Sequence, residues 1–192
     1  MREHSVNDLN NFICGWYLDD TTICDSLIEY HKTSNYKNAG RIGMSQLLDT
    51  NVKDSVDVSL DDQTLLRDYY FNSLLSATNL YKKKYMYCND TGMWGITEDV
   101  NIQHYKPNGG YKRWHSERPN GTDPVSKRHL VFMTYLNNVT DGGETEFYHQ
   151  NLKIKPEKGL TLIWGSDWTF THRGVVSPSQ EKYIVTGWFS FL

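Results

Sequence analysis

The residues in this chain that are best suited to chemistry are two histidines and a glutamate. His115 and Glu117 are separated by one residue, and His172 lies far downstream. In a β-strand, residues two apart point to the same side, so His115 and Glu117 can face one ion. Two histidines and one carboxylate bind non-haem Fe(II) on one face and leave the other face open. We therefore predict a metal site formed by His115, Glu117 and His172.

The His-x-acid pair alone is weak support for a metal site. With 7 histidines and 23 acidic residues in 192 positions, about one such pair is expected by chance. A structural role is the simpler interpretation for the five other histidines, which are His4, His31, His104, His129 and His149.

A second candidate feature lies ten residues after His172. The segment from Lys182 to Trp188 alternates as a strand does, which places Lys182, Ile184, Thr186 and Trp188 on one face. A cation, a hydroxyl and an aromatic ring on an apolar strand indicate a pocket for a small anion. The alternative is a lysine whose ammonium group reaches solvent at the strand end, and spacing does not separate the two.

The C-terminal half, from about Val100 to Leu192, resembles the 2-oxoglutarate/Fe(II) dioxygenases of prolyl 4-hydroxylase type. The matching segments, in order, are Tyr105, Gly109 and Tyr111 before His115-Ser116-Glu117; Arg118-Pro119-Asn120-Gly121; Thr134-Tyr135-Leu136-Asn137; Gly142-Gly143-Glu144-Thr145-Glu146-Phe147; Lys155-Pro156-Glu157-Lys158-Gly159; and the ten-residue step from His172 to Lys182. The chain departs from the family at Glu117, where Asp is usual. Glutamate is one methylene longer, so the resemblance implies metal binding more firmly than activity.

The resemblance implies a mainly β fold, a double-stranded β-helix (jelly roll) with N-terminal helices packed outside one sheet. It also implies an enzyme that couples oxidative decarboxylation of 2-oxoglutarate to C–H hydroxylation, using Fe(II), O₂ and ascorbate. Lys182 would neutralise the far carboxylate of 2-oxoglutarate. Tyr135 and Thr186 would add hydroxyl donors, Tyr105 would contact the cosubstrate, and Trp188 would wall the pocket. For Tyr135 and Trp188, core packing is the alternative.

The substrate implied by the resemblance is a proline in a peptide or protein, or free proline. We expect the lip of the cleft to come from Lys112, Arg113 and Trp114, from the Asn108–Gly110 turn, and from loops between 33 and 59 and near Trp94. For Trp94 itself, a core position is favoured over a position at the lip. Two alternatives remain: hydroxylation of another amino acid or small molecule, and a catalytically silent jelly-roll binding module.

Composition sets further bounds on partners and setting. A net charge of −3 argues against a nucleic-acid binder, which would carry a basic excess. No apolar run reaches the length of a membrane span, and the first residues lack the apolar segment of a secretory signal. Cys14, Cys24 and Cys88 are scattered and odd in number, so we expect free thiols in a reducing, cytoplasmic setting. The sequence does not indicate the oligomeric state.

The length of 192 residues suits a single domain. We expect supporting helices and loops over 1–99 and a catalytic jelly-roll core over 100–192. An edge strand is predicted near Phe12–Leu18, a helix from about Asp19 to Lys32, a largely irregular stretch from Thr33 to Ser59, and a helix capped by Ser59 that runs towards Lys84.

The second half reads as short strands separated by Gly, Pro and Asn, which is typical of a two-sheet antiparallel barrel. The predicted strands are Val100–Tyr105, Tyr111–Ser116, His129–Leu136, Glu144–Phe147, Leu152–Ile154, Leu160–Trp164, Phe170–His172 and Lys182–Phe191.

Overall fold

A computed structural model describes residues 1–4, 11–43, 47–61 and 64–192 of the chain. Within these ranges the α-helices are α1 (Thr22–Thr33) and α2 (Thr64–Lys84). The strands are β1 (Arg2–His4), β2 (Cys14–Tyr17), β3 (Asn38–Ala39), β4 (Lys53–Asp54), β5 (Val56–Ser59), β6 (Trp94–Gly95), β7 (Asn101–Tyr105), β8 (Gly110–Tyr111), β9 (Arg128–Tyr135), β10 (Thr145–Phe147), β11 (Leu152–Ile154), β12 (Leu160–Gly165), β13 (His172–Gly174) and β14 (Lys182–Phe191). Short 3₁₀ turns lie at Met86–Asn89, Val125–Lys127 and Trp168–Phe170. Neither helix is apolar enough over a sufficient length to cross a membrane.

Most of these strands belong to one large sheet. Over the described ranges its order is β1-β2-β12-β9-β14-β7-β5-β3, with β6 paired to the end of β14. A smaller sheet has the order β11-β10-β13, and β4 pairs with β8. Every one of these pairings is antiparallel. The predicted double-stranded β-helix with N-terminal helices is confirmed.

Strand β9 lies between β12 and β14 in the large sheet and separates two apolar cores. Because successive side chains of a strand point to opposite faces, alternate residues of β9 enter different cores. Those packed with the small sheet are Val131, Met133 and Tyr135, and those packed with the helices are Leu130 and Phe132. Burial on both faces explains why the segment is a nearly continuous apolar run.

Helix α1 begins where the sequence predicts, because the Asp20 carboxylate accepts a hydrogen bond from the backbone N–H of Thr22 at 2.8 Å. The predicted start of the second helix is wrong. Ser59 ends strand β5, its hydroxyl accepts from the Asp61 N–H at 3.2 Å, and α2 begins at Thr64. Asp62, predicted in the first turn of that helix, lies outside the described residues.

The N-terminal half contributes more to the sheet than the sequence predicts. The predicted edge strand is β2, but β1 covers its outer side, so β2 lies second from the edge. The stretch predicted to be irregular supplies β3 and β5, and β5 pairs with β7 in the large sheet. Residues 1–99 therefore complete the large sheet as well as covering it with helices.

Two predicted strands beside the candidate site differ from the prediction, one in length and one in position. The predicted strand Tyr111–Ser116 is regular only at Gly110–Tyr111, with His115 in an isolated bridge. Phe170 lies in a 3₁₀ turn, and the strand there runs from His172 to Gly174. The chain bends on both sides of this bridge, so the two histidines lie at the rim of the sheet rather than in its middle.

Candidate metal centre and adjoining cleft

His115 and His172 are held next to each other by their backbones. The N–H of His115 donates to the carbonyl of His172 at 3.0 Å, and the N–H of His172 donates to the carbonyl of His115 at 2.9 Å. Directly opposed residues of an antiparallel pair project to the same face. The two imidazole centroids are consequently 4.4 Å apart.

Glu117 completes a cluster whose three possible ligand atoms all lie within 4.8 Å of one another. Its Oε1 is 3.3 Å from Nε2 of His115 and 3.5 Å from Nε2 of His172. Over the described ranges this is the one group of three His, Cys, Asp or Glu residues with such spacing. The structure thus brings together the three residues predicted as metal ligands.

The outer nitrogens of both imidazoles are occupied by backbone carbonyls. Nδ1 of His115 lies 3.0 Å from the carbonyl oxygen of Arg113, and Nδ1 of His172 lies 2.9 Å from that of Phe170. A carbonyl can only accept, so each Nδ1 carries the hydrogen and each Nε2 directs a lone pair towards Glu117. Three electron-rich atoms then converge, and a divalent cation satisfies all of them. Two imidazoles and one carboxylate are a donor set that suits Fe(II).

The charge state of this cluster also favours a metal. Burial raises the pKa of Glu117, but His115 and His172 outweigh burial and hold that pKa well below its usual range. Burial lowers the pKa of His172, and the neighbouring His115 lowers it further. At neutral pH the cluster therefore presents a carboxylate and a neutral His172, the forms that bind metal ions.

Lys182 is a buried cation in the same cleft, with only 5% of its surface exposed. Its Nζ donates to the carbonyl of Gly143 at 2.9 Å and lies 5.2 Å from the ring centroid of Tyr105. No carboxylate of the described residues lies within 4.0 Å of Nζ. Burial lowers the pKa of Lys182 to about 8, although the charge of Glu144 acts in the opposite direction. A buried ammonium without an anionic partner is costly, so this site is prepared for an anion.

The Gly142-Gly143 pair places the carbonyl that holds Lys182. Gly143 has φ of +81°, and a Cβ built there would come within 2.8 Å of the Val139 side chain. Both the backbone conformation and the close approach require glycine. This explains why the glycine pair precedes Glu144 in the motif.

A cleft of about 970 Å³ joins the histidine–glutamate cluster to Lys182. Its wall between them includes Tyr105, Tyr111, Met133, Ile184 and Thr186. The volume exceeds what one small dicarboxylate needs, which leaves room for a substrate group.

Residues 100–190 match the family model described as the 2OG-Fe(II) oxygenase superfamily. This range contains the candidate metal ligands and Lys182. Residues 100–190 are a 2OG-Fe(II) oxygenase domain. The sequence prediction of this superfamily, made from ordered motifs, is confirmed. No curated protein sequence matches the chain.

Solved structures with this fold extend the similarity beyond the oxygenase domain. A prolyl hydroxylase of Trichoplax adhaerens, solved with a peptide of the hypoxia-inducible factor oxygen degradation domain, is 17% identical with a TM-score of 0.74, covering 94% of this chain and 84% of its own. A viral collagen prolyl hydroxylase of Paramecium bursaria Chlorella virus-1, solved with 2OG, is 19% identical with a TM-score of 0.68, covering 98% and 99%. A Pseudomonas putida prolyl-4-hydroxylase is 16% identical with a TM-score of 0.71, covering 94% of each chain. At these identities the likeness shows the shared fold, and it includes the N-terminal half.

Three further predicted residues line the cleft of the oxygenase domain, each with its polar group already engaged. The Tyr105 hydroxyl donates to Oε1 of Gln103 at 2.6 Å. The Thr186 hydroxyl donates to the Phe132 carbonyl at 3.2 Å. The indole N–H of Trp188 donates to Oε2 of Glu117 at 2.9 Å. Trp188 therefore contacts the candidate metal ligand itself, which the prediction of a pocket wall did not include.

Tyr135 does not reach the cleft. Its side chain is fully buried, and its hydroxyl donates to Thr145 Oγ1 at 2.6 Å and lies 3.2 Å from the Ile154 carbonyl. The predicted contribution of the Tyr135 hydroxyl to cosubstrate binding stays a prediction. Thr145, on β10 of the small sheet, lines the cleft. The Tyr135 ring packs in the apolar cluster that also contains Tyr105, Met133 and Ile184.

The lip of the cleft agrees with the sequence prediction only in part. Arg113 and Trp114 line it, together with Asn38, Arg41 and Asp57 from the N-terminal half. Lys112 does not, and its ammonium donates to the Thr50 carbonyl at 3.2 Å. The residues of the Asn108–Gly110 turn are also absent from the lining.

Trp94 belongs to the core and not to the lip. Its indole N–H donates to the Cys88 carbonyl at 3.2 Å, and its ring packs 5.2 Å from that of Phe189.

Arg128 is the functional residue that sequence analysis missed. It lies at the start of β9, and its guanidinium is 3.4 Å from Oε2 of Glu117 and 3.5 Å from the centroid of the Trp188 ring. Nothing in its spacing relates it to the metal cluster. The signal that existed was an arginine opening a buried apolar strand, a position where a charge needs a partner.

Proposed function

We propose that this protein is an Fe(II)- and 2-oxoglutarate-dependent dioxygenase that hydroxylates a proline of a peptide or protein. The observation that carries the proposal is the pairing, in one cleft, of the His115–Glu117–His172 cluster with a buried lysine that has no carboxylate partner among the described residues. This combination suits a dicarboxylate. One end of it would bind the metal, and the carboxylate at its other end would bind the ammonium group of the lysine.

His115, Glu117 and His172 would hold the iron, and the ionised Glu117 and neutral His172 suit it. Bound Fe(II) would supply the activation of O₂ that turns 2-oxoglutarate into succinate and CO₂ and places the second oxygen atom on a substrate C–H bond. The chain's own contribution is to hold both imidazoles in one tautomer, to keep Glu117 ionised and to position the reactants.

Lys182 would bind the far carboxylate of 2-oxoglutarate. An ammonium and a carboxylate in a buried site form a charge-assisted hydrogen bond, and the carboxylate would supply the counter-charge that Lys182 lacks. Ile184 and Thr186 follow Lys182 on the cleft face of β14 and would pack along the carbon chain. Thr145 also lines the cleft, with its hydroxyl accepting from Tyr135 at 2.6 Å.

The proline substrate is supported by the rim of the cleft and by the solved structures. Trp114 lies on the rim, and its ring centroid is 5.1 Å from that of Tyr148, an exposed aromatic residue, in an edge-to-face arrangement. Flat aromatic faces suit proline rings, and an extended proline segment loses little conformational entropy on docking. The structures compared above are prolyl hydroxylases, and one holds a peptide.

The test is an assay of the Fe(II)-loaded protein with 2-oxoglutarate, O₂ and ascorbate. Proline-containing peptides, poly-proline and free proline are compared, and succinate release and product mass are followed together. We expect succinate in proportion to a peptide product that has gained one oxygen atom. His172→Ala is the control for metal-dependent turnover.

We also propose that ascorbate supports turnover and that the free thiols of Cys14, Cys24 and Cys88 reflect a reducing, cytoplasmic setting.

The outcomes separate the alternatives. Oxygen gained by another amino acid or small molecule, but by no proline substrate, would replace the proline assignment and keep the dioxygenase. Binding of metal and 2-oxoglutarate without any decarboxylation, in the presence or absence of substrates, would indicate a silent binding module.

A further inference from the structure

We propose that Trp188 and Arg128 are positioning residues for Glu117, which fix the carboxylate so that a single oxygen, Oε1, faces the metal site. The inference rests on the metal centre of the proposed function but not on the identity of the substrate. It concerns this chain's own departure from the family pattern, the longer acidic side chain at position 117.

The two oxygens of the Glu117 carboxylate have different partners. Oε1 faces both imidazoles, at 3.3 Å from His115 and 3.5 Å from His172. Oε2 accepts the indole N–H of Trp188 at 2.9 Å and lies 3.4 Å from Nη1 of Arg128. One oxygen is therefore left for a metal, while the other is held by two donors from the large sheet.

Arg128 is itself held firmly enough to act as a fixed support. Its guanidinium forms a forked pair with Glu98, with Nε at 2.8 Å from Oε1 and Nη2 at 2.5 Å from Oε2. Its Nη1 also donates to the backbone carbonyl of Glu117 at 3.0 Å. The arginine thus contacts both the main chain and the side chain of the same residue, and only 12% of its side chain is exposed.

Trp188 and Arg128 form one unit rather than two independent contacts. The guanidinium carbon lies 3.5 Å from the centroid of the Trp188 ring, a cation–π contact in which the flat guanidinium covers the indole. Trp188 on β14 is opposite Val131 on β9, three residues along from Arg128. The pairing of the two central strands therefore sets the position of this clamp, formed by Trp188 and Arg128.

The clamp restricts the conformations that the longer side chain of a glutamate can adopt. An additional methylene gives the carboxylate one more rotatable bond and more reach than aspartate has. A free glutamate could turn away from the histidines or present both oxygens to a metal, which would use a position needed for O₂ or the cosubstrate. Holding Oε2 disfavours both arrangements, because the indole N–H of Trp188 and Nη1 of Arg128 together take up the two lone pairs of that oxygen.

The experiment measures the affinity for Mn(II) and Co(II) without turnover, by anaerobic calorimetry, together with the visible absorption of the Co(II) form. Trp188→Phe keeps a ring in place and removes the donor. We expect a loss in metal affinity of about ten- to a hundred-fold, as for other groups that orient metal ligands, and a changed Co(II) spectrum. Trp168→Phe, an exposed tryptophan outside the cleft lining, is the matched control and should match the parent.

A double-mutant comparison distinguishes positioning from general structural damage. In a Glu117→Asp background the shorter carboxylate withdraws from the indole, so adding Trp188→Phe should change metal affinity less than about three-fold. Arg128→Lys should retain part of the parent affinity, and Arg128→Met less. Equal losses in the parent and in the Glu117→Asp background, or a Trp188→Phe protein with parental affinity and Co(II) spectrum, would overturn the inference.

The same measurements keep this inference distinct from the proposed function. A parent protein that binds no divalent metal would overturn both. Metal binding with the expected clamp behaviour, but no proline product in the assay above, would leave the inference in place and remove the proline assignment.

Discussion

His115 and His172 donate backbone hydrogen bonds to each other, at 3.0 and 2.9 Å, although 56 residues lie between them in the chain. This reciprocal pair fixes the spacing of the two imidazoles before any metal is present. The main chain, rather than the ion, therefore preorganises two of the three candidate ligands, and loss of one imidazole should not disturb the fold.

Replacing His172 by alanine should remove most of the divalent metal bound at neutral pH, because two protein ligands seldom hold Fe(II) against water. The backbone pair with His115 does not need the side chain, so the fold should persist. Anaerobic Fe(II) titration measures the stoichiometry. His149→Ala, at an exposed histidine, is the control. Unchanged stoichiometry in the His172 variant would exclude it as a ligand.

Replacing Lys182 by methionine should weaken 2-oxoglutarate binding while metal binding survives. Breaking a buried charged pair on one side costs about 3–5 kcal/mol, or roughly two to three decades in affinity, and methionine fills much the same volume. Calorimetric titration of 2-oxoglutarate into the Mn(II) form gives the affinity. Lys112→Met, whose ammonium bonds to Thr50 outside the cleft, should match the parent. Parental affinity in the Lys182 variant would place the anion site elsewhere.

The same lysine should make the unliganded protein more stable as pH rises above 8. Burial lowers the pKa of Lys182 from 10.5 to about 8, so the unfolded chain binds a proton that the folded chain releases between these values. Stability then increases with pH in this window, by about 3 kcal/mol if the full shift applies. Urea unfolding of the parent and of Lys182→Met between pH 7 and 10 measures this.

The prediction is tested by the difference in unfolding free energy between the parent and Lys182→Met. Lys182→Met should lack this part of the pH dependence, so the stability difference between variant and parent should shift in favour of the parent as pH rises. Parallel stability curves would show that Lys182 is not titrating in this range.

Tyr135→Phe should lower stability without affecting the cosubstrate. The hydroxyl bonds to the buried Thr145, so its loss leaves a buried polar group short of a partner, at a cost of about 1–2 kcal/mol. The affinity for 2-oxoglutarate should stay within about two-fold of the parent, since the ring does not line the cleft. A loss of affinity without a loss of stability would instead support a contact between Tyr135 and the cosubstrate.

Trp114→Ala should raise the KM for a peptide substrate while leaving the KM for 2-oxoglutarate unchanged. Loss of one aromatic contact of about 1 kcal/mol corresponds to roughly a five-fold change. Tyr87→Ala removes an aromatic side chain that is 74% exposed and absent from the cleft lining, and it serves as control. A parallel rise in both KM values would show that Trp114 acts on the site as a whole.

The parts of the fold that could be predicted are those whose sequence pattern is itself the cause of the structure. Alternation from Lys182 to Trp188 follows directly from the period of a strand, and β14 begins and ends at the predicted residues. The metal cluster could be predicted for the same reason, because His115 and Glu117 share one side of a nearly extended segment.

The errors share a different cause, which is dependence on distant partners. The parity of Tyr135 did not predict that its hydroxyl bonds to Thr145 and Ile154 of the small sheet. Ser59 has the sequence context of a helix cap, but pairing with Asn101 retains it in a strand. No local sequence pattern identifies Arg128 as a site residue, because its position beside the metal cluster depends on contacts with Glu98, Glu117 and Trp188.

Strand β14 carries the anion-binding lysine and one half of the Glu117 clamp on a single face. Lys182, Thr186 and Trp188 face the cleft by parity, so a single inserted residue between them would turn every later side chain to the opposite face. The strand's irregularity in pairing lies between Phe189 and Ser190, just beyond Trp188. Changes of length should therefore be tolerated after that point and not before it. A change of register in β14 would therefore displace both the anion-binding Lys182 and Trp188, which holds Glu117. The anion site and the metal site cannot vary independently in evolution while they share this strand.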